Sequence, residues 1–210
     1  MKLDQKDWGC PKKTRARLDT VIGMYREYIG RSVPPDRQYW TVGGQCAGPN
    51  GVVRRGSEYD HVVREGLIQP AQFHSVEIES DIHAVNSRLA GPTWYHGDFY
   101  RMMVCASNAR QFNPSIVNCD LLRMPKYGIP DVARIVSLIT AHDLHDVLLV
   151  CNLITRIRSH HCPLEEMVSM LDRDPLISAC GGWDRLTPYG YNGTGRNGRT
   201  EMGTVMMRRV

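Results

Sequence analysis

Three carboxylates stand at the ends of short apolar runs, at nearly even spacing. Phe73-His74-Ser75-Val76 stops at Glu77, Thr93-Trp94-Tyr95-His96 at Gly97-Asp98, and Ser115-Ile116-Val117 at Asn118-Cys119-Asp120. The intervals from Glu77 to Asp98 and from Asp98 to Asp120 are 21 and 22 residues, the length of one strand–helix unit with its loops. A carboxylate in such a place can accept hydrogen bonds from two vicinal hydroxyls or from an amino group, or act as a base. A parallel sheet brings the carboxyl ends of its strands to one edge, where ligands bind in open α/β folds. The three acids are therefore expected to line one crevice.

The elements that would hold them follow from periodicity. Leu18, Val21, Ile22, Tyr25 and Ile29 repeat as the stripe of an amphipathic helix, which Gly30 and Pro34-Pro35 end; the polar first 13 residues read as an arm before it. Tyr39-Trp40-Thr41-Val42 reads as a strand running into a glycine turn at Gly43-Gly44, extended by Gly48, Pro49, Asn50 and Gly51. Ser57 is placed to cap a helix carrying Tyr59, Val62, Val63 and Leu67, and Ser80 to cap one carrying Ile82, Val85 and Leu89. Arg101 to Arg110 fits a short helix, and Pro125, Gly128 and Pro130 read as a loop, with Pro130 opening the helix of Val132, Ile135, Val136 and Ile139. Val147 to Leu153 is an apolar run broken only by Asn152, as for a strand covered on both faces, and Pro163-Leu164-Glu165-Glu166 opens another helix. Tyr189-Gly190-Tyr191 and Val205-Met206-Met207 flank a glycine-rich stretch and predict a closing hairpin. The alternation predicts an α/β three-layer sandwich with a mostly parallel central sheet, helices on both faces and a C-terminal antiparallel β-hairpin.

That order, with acids at these strand ends, resembles the Rossmann-like S-adenosylmethionine-dependent methyltransferases, from about Tyr39 to Val210. The resemblance implies residues 1–38 as an arm and helix packed on the core, and 39–210 as the methyltransferase domain. It implies S-adenosylmethionine as cofactor: Gly43 and Gly44 at its amino-acid end, Glu77 on the ribose hydroxyls, Asp98 on the adenine amino group, Phe99 beside the ring, and Asn118 and Asp120 as catalytic groups facing the methyl acceptor. Gly43-Gly44-Gln45-Cys46-Ala47-Gly48-Pro49 departs from the family's Gly-x-Gly-x-Gly turn. The segment at Asn118 lacks both the (Asp/Asn)-Pro-Pro-aromatic pattern of base-amino methylation and the Pro-Cys pair of cytosine-C5 chemistry. A methyltransferase-like protein without catalysis, serving as a binding or assembly module, is the alternative. An NAD enzyme would want Gly-x-Gly-x-x-Gly after the first strand, which is absent.

The net charge of +4 and pI near 8.7 permit a nucleic-acid partner, which is the expected acceptor. Arg196, Arg199, Arg208 and Arg209 read either as phosphate contacts or as solvated charges on the hairpin. Seven scattered cysteines without a Cys-x-x-Cys pair read as buried thiols, Cys119 among them, in a soluble, cytoplasmic protein with no membrane span. His142, Asp143, His145 and Asp146, and separately His160-His161-Cys162, have the residue types of a metal site but no partner at zinc spacing, so no metal is expected. Met202, Met206 and Met207 read as core.

Overall fold

A computed structural model of the chain describes residues 11–210 apart from 43, 49, 122, 158, 159, 187 and 194–199. Helix α1 (Pro11–Tyr28) precedes strand β1 (Gln38–Val42), and α2 (Glu58–Arg64), β2 (Phe73–Glu77), α3 (Ser80–Asn86), β3 (Thr93–His96), α4 (Phe99–Asn108), β4 (Pro114–Asp120), α5 (Pro125–Ala141) and β5 (Val147–Ile157) then alternate. A two-residue β6 (His160–His161), helices α6 (Leu164–Arg173) and α7 (Pro175–Ala179), and strands β7 (Trp183–Arg185), β8 (Tyr189–Gly193) and β9 (Thr200–Arg209) complete the chain.

The strands form one sheet in the order β3-β2-β1-β4-β5-β9-β7, with β6 beside β5 and β8 beside β9. From β3 to β5 every pairing is parallel. β9 then runs antiparallel to β5 along most of its length, so β9 of the expected hairpin is inserted between β5 and β7, and β8 pairs with β9 alone. Parallel neighbours need a helical crossover, and strands covered on both faces become uniformly apolar. Val147 to Cys151 of β5 are accordingly no more than 1% exposed.

Strand side chains alternate between two cores. Tyr39, Phe73, Ile116, Leu148, Val150 and Met206 pack beneath α1 to α3 with Leu18, Val21, Tyr25, Tyr59 and Val62. Trp40, Val76, Val117, Cys119, Leu149, Cys151 and Met207 pack beneath α4 to α6 with Met103, Ile135, Ile139, Met167 and Leu171. The stripe of α1 thus shares the core of the sheet, with Leu18 and Val21 at 0% exposure.

Several boundaries differ from the sequence reading. α1 already begins at Pro11, inside the stretch read as an arm. Ser57 does cap α2, its side chain accepting from the Asp60 N–H, but Ser80 lies inside α3, whose cap position is Glu79. Pro125, not Pro130, opens α5, so the segment read as a loop is its first turns and Pro130 sits within the helix. A proline in the first turn loses no intrahelical bond, whereas Pro130 forgoes one.

Candidate functional site

Glu77 ends β2 opposite His96, the last residue of β3. It is 8% exposed, and one carboxylate oxygen accepts a hydrogen bond of 3.0 Å from the Glu79 N–H. Burial pushes its carboxyl above the ordinary carboxylate range, against backbone hydrogen bonds from Glu79 and Ile78 that favour the ionised form. A held, partly desolvated carboxylate is a good acceptor for two hydroxyls, because charge-assisted bonds strengthen where water is scarce. Beside it Ile78 is 73% exposed, an apolar surface that sequence reasoning passed over. His83 and His96 stand with ring centroids 5.2 Å apart at the same edge, and His96 Nε2 lies 3.2 Å from the Ile78 carbonyl. A carboxylate next to an exposed apolar side chain and two imidazoles fits a ligand that is part polyol and part flat ring.

Asp98 also reaches this edge, immediately after the Gly97 N–H has bonded the Glu77 carbonyl. Its side chain caps α4 by accepting from the Arg101 N–H at 2.9 Å. Phe99 is turned into the core at 7% exposure, which leaves little ring surface for stacking. Its apolar side chain follows the alternation of an amphipathic first turn, which the sequence reading began two residues too late.

The third acid behaves differently. β4 runs through Asn118, Cys119 and Asp120, so these are strand residues rather than a strand-end loop. Asn118 is fully buried; its Nδ2 donates to Glu58 Oε1 at 2.8 Å and its Oδ1 accepts from Asn152 Nδ2 at 3.2 Å. Asn152 Oδ1 in turn accepts from the Thr204 hydroxyl at 2.6 Å. This ladder of amides crosses β9, β5 and β4 and ends on α2. The expected acceptor-facing Asn118 is therefore a buried link, because both ends of its amide are spent inside the protein.

Asp120 does reach the carboxyl edge, where Arg17 of α1 meets it with an Nη1–Oδ2 distance of 2.5 Å. Arg17 Nη2 also lies 3.7 Å from Glu58 Oε2. The Asp120 Oδ1 atom is buried and meets no donor among the described residues. Tyr39 donates to Glu58 Oε1 at 2.6 Å, and burial followed by the charge of Glu58 holds its phenol well above the ordinary range.

Gly43 lies outside the described residues. A Cβ built on Gly44 meets nothing within 4 Å, so close packing is not what selects glycine there. The loop depends instead on Gly51, at φ +70, where a Cβ would come within 2.7 Å of the Arg88 carbonyl oxygen. The loop is seated on α3 by Asn86, whose Oδ1 accepts from the Cys46 and Ala47 N–H groups at 2.9 and 3.1 Å while its Nδ2 donates to the Gly44 carbonyl at 2.8 Å.

Other sequence candidates find structural places. Cys119 is fully buried, and burial pushes its thiol well above the ordinary range, as for an inert packed cysteine. Arg208 pairs with Asp184 at 2.7 Å, and Arg209, 7% exposed, donates to the Gly181 carbonyl at 2.8 Å and approaches Asp143 at 3.4 Å. These two arginines tie β9 down and are not offered to phosphates; Arg196 and Arg199 lie outside the described residues. His142 bonds Ser107, and His145 meets the Val210 carbonyl at 2.7 Å. Among the described residues no group of three or more His, Cys, Asp or Glu is arranged to hold a metal ion, and no helix is long and apolar enough to cross a membrane.

A parallel run β3-β2-β1-β4-β5 followed by an antiparallel inserted strand is the fold of the Rossmann-like, S-adenosylmethionine-dependent methyltransferases. Among solved structures, M. jannaschii TYW2 in complex with AdoMet is similar at a TM-score of 0.55 and 8% identity, over 98% of this chain and 80% of that one. An O-methyltransferase from Bacillus cereus in complex with SAH is similar at 0.55 and 10% identity, over 96% and 82%. Trm5b from Pyrococcus abyssi matches at 0.51 and 9% identity, over 92% of this chain. The chain spans about half, 48%, of the matched Pyrococcus abyssi chain and of another from Streptococcus mutans. At such identities the likeness shows the fold. No protein-family model and no curated protein matches the sequence.

Proposed function

We propose that the chain binds S-adenosylmethionine at the carboxyl edge of β1 and β2 and transfers its methyl group. The observation that carries this reading is Glu77: a nearly buried carboxylate, fixed at one oxygen by a backbone N–H, ending the second strand of this fold. Glu77 would hold the ribose hydroxyls and Ile78 would cover the flat face of the adenine. Asp98, despite its capping bond, remains at the same exposed edge for the adenine amino group. When bound, the cofactor supplies an activated methyl on a good leaving group. What this chain's residues contribute is position, which alone accounts for much of the rate in such a displacement.

Asp120 is the one expected catalytic group that the strand order keeps at this edge. With Arg17 on one oxygen, its buried Oδ1 would accept a hydrogen bond from the methyl acceptor and orient it. A nucleic-acid acceptor is supported by the net charge of +4.

Two observations favour a second reading, a non-catalytic binding module on the same fold: Asn118 is sealed in the core and Asp120 is already ion-paired. Incubation with methyl-labelled S-adenosylmethionine and total RNA separates the two. Label recovered in the RNA supports the enzyme. Cofactor binding with no label in RNA or in added protein supports the module.

A further inference from the structure

The loop after β1 is built as a small hairpin whose backbone is closed on itself. Ala47 bridges Val53, the Arg54 N–H donates to the Cys46 carbonyl at 2.8 Å, and the Gly48 N–H donates to the Val52 carbonyl at 2.8 Å. Asn86, 0% exposed, takes the Cys46 and Ala47 N–H groups. Three successive loop amides, of Cys46, Ala47 and Gly48, therefore have internal partners. A run of backbone amides is the usual way for a glycine turn to receive an anion. These three amides are committed inside the protein, and an anionic ligand group arriving beside this hairpin gains from a further donor.

The fold sets one beside it. Arg54 stands across the hairpin from Cys46, at its root, and is exposed. Its Nη1 donates to Gln45 Oε1 at 3.1 Å, and Gln45 Nε2 donates to the Ala47 carbonyl at 3.2 Å. Gln45 thereby holds the guanidinium against the segment that directly follows β1. No carboxylate among the described residues neutralises Arg54. A guanidinium offers planar paired donors that match a carboxylate, and part of its ordering is already supplied by Gln45.

We propose that Arg54 is the anchor for the α-carboxylate of the cofactor's amino-acid end, replacing the loop amides that Asn86 and Val52 have taken. The proposal rests on the reading of this edge as a cofactor site and adds a specificity residue to it. Arg54 separates ligands that carry the amino-acid end from those that hold only the adenosine.

Two ligands and three variants test it by calorimetric titration. S-adenosylhomocysteine carries the carboxylate; 5′-methylthioadenosine has the adenosine without it. Arg54→Gln is expected to weaken S-adenosylhomocysteine by about tenfold to a hundredfold, the range of a charged hydrogen bond, and to leave 5′-methylthioadenosine unchanged. Arg54→Lys should recover part of the loss, and the neighbouring exposed Arg55→Gln should change neither affinity. Equal weakening of both ligands by Arg54→Gln, or no weakening of S-adenosylhomocysteine, overturns the anchor while leaving the cofactor site intact. Failure of the wild-type chain to bind either ligand overturns the cofactor reading and the anchor with it.

Discussion

Arg17 Nη1 sits 2.5 Å from Asp120 Oδ2, joining the first helix to the end of the fourth strand across 103 residues of sequence. The arginine, Asp120 and Glu58 have side chains only 11%, 24% and 13% exposed. An ion pair this sheltered adds little net stability over an apolar replacement, but removing one partner strands the other's charge.

Arg17→Ala is accordingly expected to cost about 3 kcal/mol, since it leaves two sheltered carboxylates, Glu58 and Asp120, without their shared cation. Arg15→Ala removes a pair whose side chains are 66% and 53% exposed, and should cost less than about 1 kcal/mol. Urea unfolding of the two variants measures the difference. Equal losses would show that Arg17 does not clamp the edge.

His74 gives the protein a defined acid sensitivity. It stacks on Trp40 with centroids 5.1 Å apart, lies 3.2 Å from the Tyr95 hydroxyl, and is 8% exposed. Burial lowers its value from 6.5 to about 4. The unfolded chain therefore binds an extra proton between those two values, and stability falls as pH drops through that window. The full contribution is about 3 kcal/mol, present above the unfolded value and lost by the folded one. In His74→Phe, which keeps the stack, this part of the pH dependence of unfolding should flatten. A profile unchanged from the wild type would contradict the assignment.

The amide ladder makes Asn118 a test of structure against chemistry. Asn118→Asp places a second acid 2.8 Å from the position of Glu58 Oε1 and removes the donor that Glu58 uses. Expected is a stability loss of about 2–3 kcal/mol at neutral pH that shrinks on acidification, because protonating either acid relieves the pair. A normal melting profile accompanied by a lost activity would instead place Asn118 in the acceptor site.

Much of the fold could be read from local pattern. The apolar runs are strands, Ser57 is a cap, the methionines of β9 are buried, and the closing hairpin pairs as its turn composition implies. What escaped depends on distant partners. Nothing near Asn86 in sequence announces that it holds a loop some 40 residues earlier, and nothing near Arg17 points to Asp120. The same reason applies to Arg209, a terminal arginine that reads as solvated until the Gly181 carbonyl and Asp143 are brought to it. Asn118 misled because a polar residue at the end of an apolar run looks like a strand terminus, whereas here three strands share a buried row of polar side chains. Pro125 and Pro130 were ambiguous because either could open a helix.

The most direct test of the central claim is a calorimetric titration of S-adenosylhomocysteine into the wild-type chain and Glu77→Ala, repeated as the pH is lowered. Burial raises the value of Glu77, so the carboxylate protonates at a higher pH than an ordinary glutamate would. Hydroxyl donors favour its ionised form, so binding should weaken and release more protons as the pH falls into that range. Expected is one-site binding by the wild type with that proton linkage, and a loss of at least about tenfold in Glu77→Ala, as for a hydrogen bond to a charged group. No heat at millimolar ligand, or binding that Glu77→Ala leaves unchanged, would contradict it.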